Sequence, residues 1–423
     1  MSDTHPSPSL FQPAFLLLCL VAFLVFMGFQ MLMPTLPFFV EALGGKPAVV
    51  GLVTGSFTLA AVVARPWAGR LLDRHNRKKV YVASLGLFIA CAALYPLLST
   101  IALLIALRVV HGLSWAAIPT AGGTLAADLI PPQRRGEGMG YYGLASTLAM
   151  AFAPSVGLAL IGASGHPHFD RLFVTATALA GIALVVLLLI RLPQSTAEKA
   201  TPDDFRPQTS TAAPREAASG FWSGLLERSA FSASLVILLT NIAFGGVTTY
   251  VLLDASRLHL VQPGLFFFAF ALSLMAARPL AGRFSDRYGR RAATLPALAL
   301  LAVAMALLAW AGNLIGFLLA AVLAGIAFGS VQPAMQALAI EHVAPQRRGA
   351  ANATFYIAFD LGITIGAMAL GPLIQWKGYP AGFAACAFAA LCALAGAWQT
   401  LSKPKPLPGS PTEVPLSRER HSL

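Results

Sequence analysis

Charge is scarce in this sequence. Asp, Glu, Lys and Arg make up 11% of its 423 residues, where a water-soluble globular chain carries about 25%. Hydrophobic residues make up 57%, and the mean hydropathy is +0.72. A soluble fold of this length has nowhere to hide so much apolar surface, whereas the hydrocarbon core of a bilayer accepts it. Cysteine is also rare. Cys19, Cys91, Cys386 and Cys392 all sit in apolar stretches and form no C-x-x-C pair, which excludes a zinc frame or a disulfide scaffold and leaves them as small buried hydrophobes. There is no G-x-x-x-x-G-K-[ST] phosphate loop, so ATP is not used by that route, and no feature supports hydrolysis or any other enzymatic activity. The short alternating strands of an outer-membrane barrel are missing as well.

What is present is a series of long apolar runs, at about 12–35, 47–71, 79–99, 101–130, 137–163, 169–191, 229–255, 262–285, 292–311, 313–343, 349–375 and 379–401. Each is close to the roughly 20 residues that span a bilayer, and backbone groups cannot stay unpaired in lipid, so each is expected to be a helix. The fold class is therefore an all-α membrane protein of twelve spans. The first run, Ala14 to Met33, follows a segment without Lys or Arg and precedes no small-residue cleavage pattern. It is expected to be a retained first helix and not a secretion signal.

The net charge of +12 raises the question of nucleic acid, and the position of the bases answers it. Alternate loops fall on opposite sides of the membrane. One side receives Arg70, Arg74, Arg77, Lys78, Lys79, Arg134, Arg135, Arg283, Arg287, Arg290, Arg291, Arg347, Arg348, the bases between spans 6 and 7, and those of the tail. The other receives only Lys46, Arg171, Arg257 and Lys377. Cytoplasmic loops hold such an excess, so both termini are expected in the cytoplasm, and the charge is a topology signal. Pro193 to Gly220 is rich in Thr, Ala, Pro and Ser without apolar periodicity, as in a flexible linker. The expected organisation is a tail at 1–11, a six-helix bundle at 12–191, a linker at 192–228, a second bundle at 229–401 and a tail at 402–423.

The two bundles are copies. Ala64-Arg65-Pro66 recurs as Ala277-Arg278-Pro279. Gly69, Arg70, Asp73 and Arg74 recur as Gly282, Arg283, Asp286 and Arg287, and Pro132 to Gly136 recurs as Pro345 to Gly349. One constant offset relates all of them, and equivalent loops lie on the same side, which describes parallel repeats about an axis along the membrane normal.

The segment Gly69-Arg70-Leu71-Leu72-Asp73-Arg74-His75-Asn76-Arg77-Lys78-Lys79, with its second copy from Gly282 to Arg291, resembles the loop signature of the major facilitator superfamily, and the resemblance extends over about residues 12–401. It implies two pseudo-symmetric six-helix bundles and transport by alternating access. It also implies a cytoplasmic gate in which Asp73 braces the start of helix 11 and Asp286 the start of helix 5, with Gly69, Arg74, Gly282 and Arg287 around them. Asp128 and Glu341, each six residues before Arg134 and Arg347, are expected to join the same ion-pair network.

Within the spans, Arg108-Val109-Val110-His111-Gly112 is similar to the family's R-x-x-x-G pattern on helix 4, where an Arg supports proton coupling. An Arg inside the bilayer needs a partner or a wet cavity, and His111 shares its face. Span 5 carries Gly143, Pro154 and Gly157 in a run similar to the family's antiporter motif on helix 5, with Ala149, Ala153 and Leu158 where that motif has glycines. Asp360 is the one carboxylate expected at mid-membrane depth, on a face shared with Tyr356 and Thr364. A carboxyl held away from water can exchange a proton within reach of neutral pH. Asp360 is therefore read as a proton-coupling group acting with Arg108 and His111, against the alternative of a hydrogen-bonded packing residue. Because spans 1, 4, 7 and 10 line the cavity in this superfamily, Phe26, Gln30, Trp115, Asn241, Phe244, Phe328, Gln332 and Gln336 are candidate substrate contacts, together with Tyr356 on the Asp360 face of span 11.

The resemblance implies a proton-coupled exporter of a small amphiphilic solute, similar to drug and metabolite efflux members. An uptake symporter for a sugar, organic acid or metallophore is the alternative, and a non-transporting membrane sensor or scaffold is an alternative of another class. The expected partners are the solute, protons and the bilayer of a bacterial inner membrane, with no cofactor, metal or nucleic acid, and the chain is expected to act as a monomer.

Overall fold

The computed structural model describes residues 10–131, 134–162, 167–190, 227–260, 262–341, 343 and 348–402. Among them, long helices dominate. The first half contains α1 (Pro13–Ala42), α2 (Pro47–Arg74), α3 (Arg77–Leu94), α4 (Ile101–Leu129), α5 (Arg135–Ile161) and α6 (Phe169–Leu189). The second contains α7 (Phe231–Arg257), α8 (Leu265–Tyr288), α9 (Arg290–Trp310), α10 (Leu314–Glu341), α11 (Arg348–Lys377) and α12 (Tyr379–Ser402). Among the described residues, twelve helices are long and apolar enough to cross a membrane. Their limits follow the hydropathy reading to within a few residues except for α1. That helix continues to Ala42 through Pro34 and Pro37, because neighbouring helices in a bundle can satisfy the backbone groups a proline frees. The expected linker up to residue 226 and the tail after residue 402 lie outside the described residues.

The halves are built alike. In the first, α1 packs on α5 and α6, α2 on α4, and α3 on α4 and α6; in the second, α7 packs on α11 and α12, α8 on α10, and α9 on α10 and α12. Their outer surface is apolar. Val174, Val185 and Leu189 of α6 and Phe388 of α12 are exposed, as expected of side chains that face lipid rather than water. The turns that join α2 to α3 and α8 to α9 reverse the chain by different means at equivalent positions. The Asn76 side chain accepts from the backbone N–H groups of Lys78 and Lys79, whereas Gly289 takes a φ of 86° that only glycine adopts freely.

Between the halves, α2 packs against α11 and α5 against α8, two equivalent seams, with α1 against α7 at the centre. Every named contact in these seams lies toward the arginine-poor end or at mid-depth. The Tyr250 hydroxyl donates to the carbonyls of Ala367 (2.6 Å) and Pro47 (3.3 Å). The Thr364 hydroxyl meets that of Thr58 at 2.8 Å, and the ring of Phe152 faces that of Phe268. Glycines make this approach possible. A methyl group at Gly51 would strike the Ala367 carbonyl, one at Gly371 the Pro47 carbonyl, and one at Gly264 the backbone of Ser155. At the arginine-rich end, added methyl groups at Gly69, Gly140, Gly143 and Gly282 would meet nothing within 4 Å. Among the described residues, the named contacts between the halves thus lie at the arginine-poor end and at mid-depth.

Gly366 shows how little room the helix contacts leave, because its added Cβ would collide with the backbone of Ile242 on α7. Gly366→Leu is expected to destabilise the protein by about 1–3 kcal/mol through overpacking. Gly69→Ala, placed in open space, should leave stability unchanged or slightly raised. Thermal unfolding of the two purified variants in detergent separates these outcomes.

Candidate functional site

Beyond these contacts, polar side chains of α2, α8, α10 and α11 gather where the two halves face each other and mark the cleft between them. Asn352, Tyr356 and Asp360 of α11, partly exposed, and the buried Thr364 are spaced one turn apart and therefore on one face. Asp360 is reached from across the seam by Arg65 of α2, with Nη2 at 2.7 Å from Oδ2 and side-chain exposures of 24% and 13%. This ion pair joins the two halves at mid-depth, just beyond the Thr58–Thr364 hydrogen bond. One turn along α11, the Tyr356 hydroxyl accepts from Gln336 Nε2 (3.2 Å), which also donates to Asn352 Oδ1 (3.1 Å). Arg278 of α8 donates to Gln332 Oε1 at 3.3 Å.

Asp360 and Arg108, expected to act together in proton coupling, are not in contact: Asp360 pairs with Arg65. Arg108 is fully buried within its own half. Its Nε donates to the Val53 carbonyl (3.3 Å), its Nη1 to the Tyr95 hydroxyl (3.4 Å) and its Nη2 contacts Met33 Sδ (3.4 Å). Its guanidinium stacks 4.1 Å over the ring of Phe57, a cation–π contact that is strongest when water is excluded. His111 is as deeply buried, with Nδ1 at 2.9 Å from the Tyr95 hydroxyl and its ring against Phe88, while its Nε2 has no hydrogen-bond partner among the described residues. Among the described residues no carboxylate pairs with Arg108. The R-x-x-x-G pattern therefore builds an enclosed polar node inside the first half, separate from the cleft.

The other expected contacts divide. Gln332, Gln336 and Tyr356 are among the polar side chains described above. Phe26, Gln30 and Phe244 are half-buried. Trp115 is packed between Phe26 and Phe29, stacked on the latter at 3.8 Å. Phe328 is buried against Phe244 and Phe270. Asn241 is also buried, donating to the Ile237 carbonyl of its own helix and pressing against Gly362. Gly157 and the residues around Pro154 seat α5 on α1, where Gly157 faces Thr35 and the Met31 carbonyl, while Gly143 lies toward the arginine-rich end.

At the arginine-rich end, Asp128 and Glu341 are bound to the first residues of α3 and α9. Arg77 Nη1 lies 2.6 Å from Asp128 Oδ2, and Arg290 pairs with Glu341 at the equivalent place in the second half. Arg134 pairs instead with Glu137 at 2.8 Å, an i,i+3 contact that holds the Arg134 guanidinium above its ordinary pKa. Arg74 and Arg287 are exposed, the latter beside the Tyr288 ring. The side chains of Asp73 and Asp286, and all of Arg347, lie outside the described residues. A groove of about 820 Å³ opens between α8, α9 and α10. Its walls belong to one half alone, so it is not the space that two halves would alternately open and close.

Arg65 is the site residue that sequence reasoning passed over. Its signal was present in the doubled Ala-Arg-Pro, which places a base inside a span, yet nothing in the spacing pointed across to α11.

Among the described residues, twelve membrane-length helices in two like halves that meet along paired seams have the architecture of a secondary transporter. The Major Facilitator Superfamily model matches residues 18–260 and 255–420, and the chain belongs to that superfamily. It is similar to the staphylopine export protein of Staphylococcus aureus, with 24% identity over 94% of this chain and 98% of that protein. It is also similar to multidrug resistance protein 2 of Bacillus subtilis, with 26% identity over 41% and 43% of the two chains. Among solved structures, the nucleoside transporter NupG shares the fold at a TM-score of 0.71 and 15% identity, covering 93% of this chain and 100% of that one.

Tyr95 is the phenol that both Arg108 and His111 use. Tyr95→Phe is expected to destabilise the protein by about 1–3 kcal/mol, the cost of leaving buried polar groups short of a partner. A Tm in detergent equal to that of the parent would remove Tyr95 from this node.

Proposed function

We propose that the chain is a proton-coupled exporter of a small amphiphilic solute, working by alternating access with the arginine-rich end in the cytoplasm. The observation that carries this reading is the Arg65–Asp360 ion pair across the two halves. Asp360 is a carboxylate at mid-depth, and its counter-charge sits on the opposite half. A proton on Asp360 cancels the charge that holds Arg65, so protonation and the fit of the α2–α11 seam are linked. A gradient can shift populations only if the two states bind the proton differently. Arg65 supplies that difference, because it faces Asp360 in this state and moves with the other half when the seam opens.

The geometry supports a cycle of this kind. With the arginine-rich end open, Asp360 is ionised and paired, and solute enters the cleft from the cytoplasm. Rocking of the halves closes the gate helices and parts the α2–α11 seam, and Asp360 then meets the far side and takes up a proton. Loss of the solute and return to the first state release that proton inward as Arg65 comes back. The near full-length likeness to a protein named for staphylopine export supports the outward direction, as do Pro154 and Gly157 in the antiporter-like run of α5. The positive-inside distribution of bases supports the orientation.

Everted membrane vesicles energised by a proton gradient, offered a panel of labelled cationic, neutral and anionic amphiphiles, test both direction and coupling. Accumulation of one or more solutes is expected, with collapse on adding an uncoupler. Asp360→Asn is expected to abolish accumulation while leaving downhill exchange of the same solute. Undiminished gradient-driven accumulation by Asp360→Asn would remove the proton role. Accumulation in right-side-out vesicles alone would make the protein an uptake symporter.

A further inference from the structure

The repeat places a base at the same point of both halves, Arg65 on α2 and Arg278 on α8, each in the sequence Ala-Arg-Pro. Only one of them is answered by an acid among the described residues. The residue that the repeat makes equivalent to Asp360 is Thr147 of α5, whose hydroxyl donates to the Gly143 carbonyl of its own helix. Arg278 has the Gln332 amide oxygen at 3.3 Å and forms no ion pair among the described residues, and its side chain is not sealed off as that of Arg108 is. The described part of the cleft thus holds two guanidinium groups, Arg65 and Arg278, and one carboxylate.

The groups next to Arg278 are donors. The Tyr356 phenol lies within electrostatic reach of it. That oxygen accepts from Gln336 Nε2, which leaves its own O–H to be donated elsewhere. The Gln332 amide turns its oxygen to Arg278, which leaves its NH₂ group pointing away from the guanidinium. Gln332 satisfies only part of the Arg278 guanidinium and the Tyr356 phenol lies to one side of it, which leaves N–H groups free for an oxyanion, and the planar fork of Arg suits a carboxylate in particular. One turn back on α10 from Gln332 lies Phe328, in contact with the half-buried Phe244, an apolar surface beside the charge.

We propose that the solute is an amphiphilic organic carboxylate, and that Arg278, with Tyr356 and Gln332, binds its anionic group while the Phe244 side of the cleft takes its apolar body. This rests on the reading of the cleft as the solute site and adds the charge class of the cargo. It assigns the two arginines different partners: Arg65 is held by the chain's own carboxylate, and Arg278 by the carboxylate of the solute.

The test compares 2-naphthoate with its neutral isostere 2-naphthamide and with 2-naphthylmethylammonium, using purified protein in nanodiscs, binding calorimetry and everted-vesicle flux. Saturable binding of naphthoate is expected, at least tenfold tighter than that of the amide or the amine. Arg278→Gln should weaken naphthoate at least tenfold without changing the amide. Arg278→Lys, which keeps the charge and loses the fork, should recover part of the loss and serves with size-exclusion profiles as the folding control. Equal naphthoate affinity in Arg278→Gln, preference for the amide or amine, or no naphthoate binding by the parent protein would overturn the proposal. The two readings fail separately. Gradient-driven flux of cationic or neutral solutes alone would leave the exporter and remove the anion site. Arg278-dependent naphthoate binding without any gradient-driven flux would leave the anion site and remove the proton coupling.

Discussion

The seam between α2 and α11 is the constraint on which the rest of the molecule turns. In lipid there is no hydrophobic force to press two helices together, so contact depends on close packing and on polar groups that find partners. Gly51, Gly55 and Gly371 let the two backbones approach, and the polar contacts then follow in order of depth. Tyr250 ties Pro47 to Ala367 at the arginine-poor end, Thr58 meets Thr364 further in, and Arg65 meets Asp360 where the cleft begins. The packing contacts near the arginine-poor end are neutral and insensitive to pH. The one charged contact of the series, Arg65–Asp360, is the furthest from that end.

Symmetry separates scaffold from site. Features that hold the fold occur twice, including the helix contacts within each half, the two seams and the ion pairs Arg77–Asp128 and Arg290–Glu341. The polar groups in the membrane interior break the symmetry. Arg108 and His111 stand where the second half has Ala321 and Ala324, and Asp360 and Tyr356 stand where the first half has Thr147 and Gly143. A charge inside a bilayer is expensive, and these charges are not repeated by the fold. Within this set the structure draws a further line. Arg108 and His111 are closed in by Phe57, Phe88 and Tyr95, a node inside one half, while Asp360 meets Arg65 across the halves and Tyr356 meets Gln336.

The sequence by itself determined the class and the layout. A chain with few charges must place its apolar runs in lipid, backbone hydrogen bonding then makes each run a helix, and the constant offset between the copies makes two bundles of six. Asp360 could also be singled out from sequence, because a lone acid in an apolar run is conspicuous wherever the run lies. The tertiary structure alone decided which partners these residues meet. Arg65 and Asp360 are far apart in the chain and become neighbours only because α2 crosses onto the other half. Arg108, expected to take part in proton coupling, and Trp115 and Asn241, expected as substrate contacts, are buried in packed interiors. Helical spacing specifies which residues share a face but not what that face meets, and in a membrane, where lipid and protein interior are equally apolar, hydropathy cannot tell the two apart.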